Sequence, residues 1–157
     1  MTGERVRAAN GRCRVDLEGT SSPGPMVTYV VITPGGALLV REVPGDVGVD
    51  DWGAPYQHDL WAAVRGDVDP CRGEVNGVAL VWDMRAKVAD AAHRLPRVYR
   101  PNPVASMMLM TLGCPPRSWG GTIAIVGRED DEGITTSLTA EQLDLVAKVH
   151  RVARSAV

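Results

Sequence analysis

The stretch "SWGGTIAIVGREDDEG", Ser118 to Gly133, decides how the chain is read. Its centre, Ile123-Ala124-Ile125-Val126-Gly127, has the form of a first strand entering the phosphate loop of a dinucleotide-binding fold. That loop needs Gly-x-Gly-x-x-Gly, because the glycines permit a tight turn and close approach of backbone to pyrophosphate. Gly127 takes the first position, but Glu129 and Glu132 take the second and third. Their side chains block the approach, and together with Asp130 and Asp131 they repel a phosphate. A calcium loop is no better, since it wants ligands at alternating positions with a central Gly, and here the acids are contiguous. The stretch therefore reads as a buried strand, opened by Gly120 and Gly121 and closed by Gly127. A water-facing acidic turn follows it.

Working outward, "ITTS" (134–137) suggests a short return strand. Thr139 and Gln142 then form a capping box, with Leu138 and Leu143 as its hydrophobic staple. Leu143, Val146, Val149 and Ala153 recur on one helical face, and Arg151 and Arg154 suit the negative end of the helix dipole. Upstream, "NPVASMMLMTLG" (102–113) carries a helix, with Asn102 as cap, Pro103 in the first turn and Gly113 as stop. "TYVVIT" (28–33) and "ALLVREV" (37–43), joined by Pro34-Gly35-Gly36, read as a hairpin. "QHDLWAAVRG" (57–66) reads as a short helix with Leu60, Trp61 and Val64 on one side. "GVALVWD" (77–83) reads as a buried strand. "MRAKVADAAHRL" (84–95) has helical composition but loose apolar spacing, and "PRVYRP" (96–101) is an extended connector.

Strands in hairpins, without regular βαβ alternation, predict an α+β fold. It would contain a small, mainly antiparallel sheet, two to four short helices and a capped C-terminal helix. Residues 1–25, rich in Arg, Gly and Ser without a period, predict a flexible tail. Residues 26–157 predict a single domain.

The composition narrows the function classes. The chain has 157 residues, no Phe and a net charge of −2. No apolar run is long enough to span a bilayer, and no hydrophobic segment follows the charged N-terminus. Cys13, Cys71 and Cys114 are odd in number and far apart, which fits a reducing cytoplasm better than a disulfide framework. No two of these cysteines and His58, His93 and His150 have the spacing of a zinc site. A nucleophile would have to be assembled from Cys71 or Cys114 with His58 or His93 and Asp83, and no local motif supports that. Ser106 lies in a helix, outside any Gly-x-Ser-x-Gly elbow. No catalytic, cofactor or metal residue is therefore assigned, and an enzyme of unassigned reaction is the least favoured class.

Charge is unevenly spread. Residues 42–83 hold nine acids and two arginines, whereas residues 84–117 hold six bases and one acid. Self-neutralisation within the fold is the plain account, and a bipolar surface that steers a partner is the functional one. Arg94, Arg97 and Arg100, with Tyr99 to stack a base, make residues 85–100 a candidate nucleic-acid contact. A pI near 5.9 counts against a dedicated binder. Trp52, Trp61 and Trp119 are alternative anchors for a protein partner, although each also serves a core poor in aromatics.

"RPNPVASMML" and "GGTIAIVGREDDEGITTSLTAEQLDLV" together resemble the C-terminal pattern of the domain of unknown function 3846 family. There an Asn followed by Ala and a small hydroxyl residue opens a helix. A strand ending in Val-Gly, an acidic turn and "SLTxEQ" follow. "VVITPGGALLVREVPG", "DLWAAVRGDVD" and "GVALVWD" resemble its first half more loosely. Arg65 replaces a usual Gly, and the segment after Asp83 is longer and more basic. The resemblance spans residues 27–147. It implies a small cytosolic protein of bacteria, phages or mobile elements with no assigned reaction. The expectation is a non-enzymatic binding or regulatory accessory protein acting through protein–protein contacts in the cytoplasm, with neither cofactor nor membrane. The alternative is a nucleic-acid-binding accessory protein using residues 85–100. Candidate interaction residues are Arg94, Arg97, Tyr99, Arg100 and Trp52.

Overall fold

A computed structural model describes residues 25–45, 55–65 and 74–157. The expected N-terminal tail and Trp52 lie outside the described residues, as do Cys13 and Cys71. Strands β1 (Met26–Ile32), β2 (Leu38–Pro44), β3 (Val75–Leu80), β4 (Met84–Ala89) and β5 (Ile123–Gly127) form one sheet. Its order is β2-β1-β5-β4-β3, and every neighbouring pair is antiparallel. Helices α1 (Pro55–Arg65), α2 (Pro103–Thr111) and α3 (Ala140–Ala156) complete it. The chain is thus a small α+β protein with a capped C-terminal helix.

The strand inside the opening stretch is the sheet's centre. β5 pairs with β1 on one side and β4 on the other, and all five of its residues are buried. Successive strand side chains point to opposite faces, so both faces of the sheet are covered at β5. Helix α1 lies across β2, β5, β4 and β3. Helices α2 and α3 pack on each other. Their buried residues Val104, Met108, Leu109, Val146, Val149 and Ala153 join the common core.

Segment 84–95, helical in composition, begins as strand β4. Met84, Ala86 and Val88 are buried while Arg85 and Lys87 are half-buried. That is a period of two, and pairing with β3 and β5 outweighs the helix propensity of Arg, Lys and Ala. The residues beyond it form turns, and "ITTS" contributes a single bridge, Glu129 with Thr135, in place of a strand.

β3 ends at Leu80, and Val81–Asp83 turn the chain into β4. Trp82 and Asp83 both hold left-handed backbone, with φ of 61° and 60°. Two successive positive φ values suit a tight hairpin turn, but Asn-Gly is the sequence that adopts them cheaply. The surroundings hold this turn in place. Val81 N–H donates to Leu112 O at 2.8 Å. Gln142 Nε2 donates to Trp82 O at 2.6 Å, and Arg128 Nε lies 3.2 Å from Asp83 Oδ2.

One buried polar side chain joins α2 to the sheet. Asn102 Oδ1 accepts from Ala105 N–H at 3.1 Å, capping α2 as its sequence predicts. Its Nδ2 donates to Ile32 O at 3.0 Å, at the end of β1, and to Gly121 O at 2.9 Å. Asn102→Ala removes the cap and strips a donor from two carbonyls. The expected loss is about 2–4 kcal/mol, measured as a lower urea midpoint. The opposite sign is expected at the hairpin turn. Trp82→Asn with Asp83→Gly relieves left-handed strain and raises stability by about 1 kcal/mol in the same measurement.

Candidate functional site

The space that a cofactor loop would need is filled by the chain itself. A side chain at Gly127 would collide with the Thr136 carbonyl oxygen. Gly127 therefore admits the returning backbone, not a phosphate. In the acidic turn, Asp130 Oδ1 accepts from Glu132 N–H at 2.9 Å and Ile134 N–H at 3.0 Å. That carboxylate organises the turn. Among the described residues no group of three or more His, Cys, Asp or Glu is placed to hold a metal ion.

The expected interaction residues separate. Arg94, Arg97 and Arg100 are exposed. Arg94 lies 3.6 Å from Asp90, and Arg97 and Arg100 have no carboxylate partner among the described residues. Tyr99, by contrast, is buried at 2 % exposure. Its ring packs where Gly121 passes, with Tyr99 Cδ1 only 3.0 Å from the position of a Cβ there. It belongs to the core and presents no face to a nucleic-acid base. Trp119 is buried, whereas Trp61 is exposed, as is Trp82, which the sequence reading did not single out as an anchor.

A concavity lies on the outer side of α2. A surface helix ordinarily turns polar residues outward. The sequence of α2, "PVASMMLMT", contains no charge. Val104, Ala105, Met108 and Leu109 face the core. The other side carries Pro103, Ser106, Met107 and Met110 at the i, i+3, i+4, i+7 spacing of one helical face, and all four line a groove of about 540 Å³. Pro116, Arg117, Ser118 and Trp119 form the opposing wall, and Val157 lies at the edge. Ser106 ties the walls together, because its hydroxyl accepts from Trp119 N–H at 2.7 Å. This hydroxyl positions a loop and is not poised as a nucleophile.

Two side chains pack on Trp119. The Arg117 guanidinium lies 5.3 Å from its ring centroid, within cation–π range. His93 packs edge-on at 5.7 Å between centroids. The indole Nε1 is buried without an acceptor among the described residues. Arg100 immediately precedes Pro101 of the groove wall, and its carbonyl accepts from Gly121 N–H at 2.7 Å. The basic segment thus runs beside an apolar groove, a juxtaposition set by the pairing of Pro101 with Gly120. The charge bias was legible in the sequence. The uncharged outer face of α2 was also visible there, as paired methionines without an acid or base between them.

A second polar cluster joins α1 to the sheet. Asp59 of α1 accepts from Arg41 Nε at 2.9 Å, from Arg41 Nη2 and from the Tyr29 hydroxyl. Tyr56 stacks edge-to-face on Tyr29 at 5.6 Å. Burial pushes the Asp59 carboxyl up, but the hydrogen bonds from Arg41 and Tyr29 and the Arg41 charge outweigh it. Asp59 is held below the usual carboxylate range. Burial, then the Asp59 carboxylate, pushes the Tyr29 phenol well above its ordinary value. This cluster reads as a clamp that docks α1 on β1 and β2.

A carboxyl whose pKa is depressed by folding contributes stability that is complete above its unfolded value, about 4, and lost as pH falls through the folded value. Asp59→Asn is therefore expected to lower stability at pH 7 and to flatten the fall in melting temperature below about pH 4. An unchanged acid limb in the variant would assign that fall to other carboxyls. Comparison with protein families, with curated proteins and with solved structures finds no match to this chain.

Proposed function

We propose that this protein is a non-enzymatic binding or regulatory accessory protein that acts by protein–protein contact, with the α2 groove as its contact site. The observation that carries this reading is the apolar outer face of α2 set beside Arg97 and Arg100, which have no carboxylate partner among the described residues. Exposed methionines adapt to varied apolar partners at small cost, which suits a binding surface. The residues resembling the domain of unknown function 3846 family favour the same class, an accessory protein of bacteria or their mobile elements working in the cytoplasm. No helix among the described residues is long and apolar enough to cross a membrane.

Arg94, Arg97 and Arg100 keep a second reading open, that of a nucleic-acid-binding accessory protein. Tyr99 and Trp119, the aromatics nearest them, are buried, so this reading rests on phosphate contacts alone. Such contacts weaken steeply with salt.

Crosslinked capture from the native host separates the two. Met110 is 45 % exposed, so Met110→Glu is expected to leave folding intact, within about 0.5 kcal/mol. The wild type is expected to capture a defined protein that Met110→Glu fails to capture. Equal capture by both would remove the groove from the reading. A gel shift with mixed-sequence DNA at low and high salt is expected to show no band. A salt-sensitive band lost in Arg97→Glu would favour the second reading instead.

A further inference from the structure

We infer that the α2 groove takes a short, extended acidic segment of a protein partner, with one bulky apolar side chain seated between α2 and the 116–119 loop. This rests on the protein-binding reading above and specifies its partner. Three observations set the chemistry of the occupant.

The first is the lining. Pro103, Met107, Met110, Pro116 and Trp119 offer apolar surface, and 540 Å³ accommodates a few side chains rather than a folded element. The four outer positions of α2 span seven residue steps, about 10 Å of helix, which matches about three residues of extended chain. A groove of this length reads a linear segment.

The second is charge. Arg117 in the wall and Arg97 and Arg100 in the adjoining segment have no carboxylate partner among the described residues. The single acid of residues 84–117, Asp90, is already beside Arg94. A neutral or basic segment would leave these guanidinium groups uncompensated, whereas an acidic one pairs with them and is steered toward them. The segment's carboxylates therefore flank its apolar anchor.

The third is rigidity of the walls. Asn102 fixes the start of α2 to β1 and to Gly121, and the Ser106 hydroxyl fixes Trp119 to α2. The groove does not need to be ordered by its occupant, which spares a binding cost that short segments meet poorly. Nucleic acid fits less well, since Tyr99 and Trp119 are buried and offer no face for a base to stack on.

The test is selection of a display library of random linear peptides against the immobilised full chain. Enriched peptides are expected to carry two or more Asp or Glu around a Leu, Met, Phe or Trp. The top peptide, synthesised with a fluorophore, is expected to bind about tenfold more weakly to Arg117→Glu and not measurably to Met110→Glu. Val152→Glu, at an exposed α3 position outside the groove, is expected to bind like wild type. Matching melting temperatures across the variants verify their folding. Failure to enrich, enrichment without acidic residues, or binding that survives Met110→Glu overturns the inference. If host capture remains dependent on Met110 while selection enriches nothing, the protein-binding reading stands and the linear acidic segment falls. If single-stranded DNA displaces the peptide at lower concentration than unlabelled peptide does, the groove is assigned to polyanions instead.

Discussion

The amide of Asn102 sits where three parts of the chain meet: the end of β1, the approach to β5 and the first turn of α2. An asparagine side chain has two donors and one acceptor oxygen, and here both donors and the acceptor are used. Aspartate could supply the acceptor but not the donors, and alanine supplies none of them. The burial of Asn102 makes each bond consequential, because an unmet carbonyl in the core costs more than a made bond returns. Its backbone adds a fourth tie, since Asn102 N–H donates to Trp119 O at 2.9 Å. The sheet centre, the α2 axis and the loop facing α2 are therefore positioned by one residue. The groove inherits its shape from this core junction.

Much of this architecture was legible in the residues. Asn102 and Pro103 announce the start of α2, and Thr139 with Gln142 announces α3, because capping chemistry is local. The Pro34-Gly35-Gly36 turn and β1–β2 pairing are equally local. Strand β4 was not legible, since Arg85, Ala86 and Lys87 favour helix until two neighbouring strands claim them. Tyr99 was misread for a related reason. An aromatic between Val98 and Arg100 looks available to a ligand, and only the passage of Gly120 and Gly121 over it shows otherwise. The groove was half legible. The uncharged face of α2 is local, but the loop opposite it arrives only through the Pro101–Gly120 pairing.

The β3–β4 turn is a case of local preference overruled from outside. Trp and Asp are poor choices for two successive left-handed residues, at a cost on the order of 1 kcal/mol each. The turn persists because α2 and α3 both reach it, through Leu112 O and the Gln142 side chain. Gln142 thereby serves two ends at once, since its Oε1 also accepts from Thr139 N–H at 3.0 Å. A side chain at Gly113 would come within 2.9 Å of Val81 Cγ1, so the helix stop and the turn are fitted to each other. The capping box that starts α3 is thus part of the same contact that fixes the edge hairpin.

The glycines around β5 show why a cofactor reading and a structural reading can share one sequence. A nucleotide loop uses glycine so that a ligand can come close to the backbone. Here the same freedom admits other parts of the chain: the Tyr99 and Ala92 carbonyls at Gly120, the Tyr99 ring at Gly121 and the Thr136 carbonyl at Gly127. Each space that a ligand would need is filled by protein, and each acid of the following turn faces outward. Binding surface must therefore be sought where packing leaves apolar side chains uncovered. Around the core built by Asn102, that place is the outer face of α2, where Met107 packs partly against the core and Met110 is left exposed.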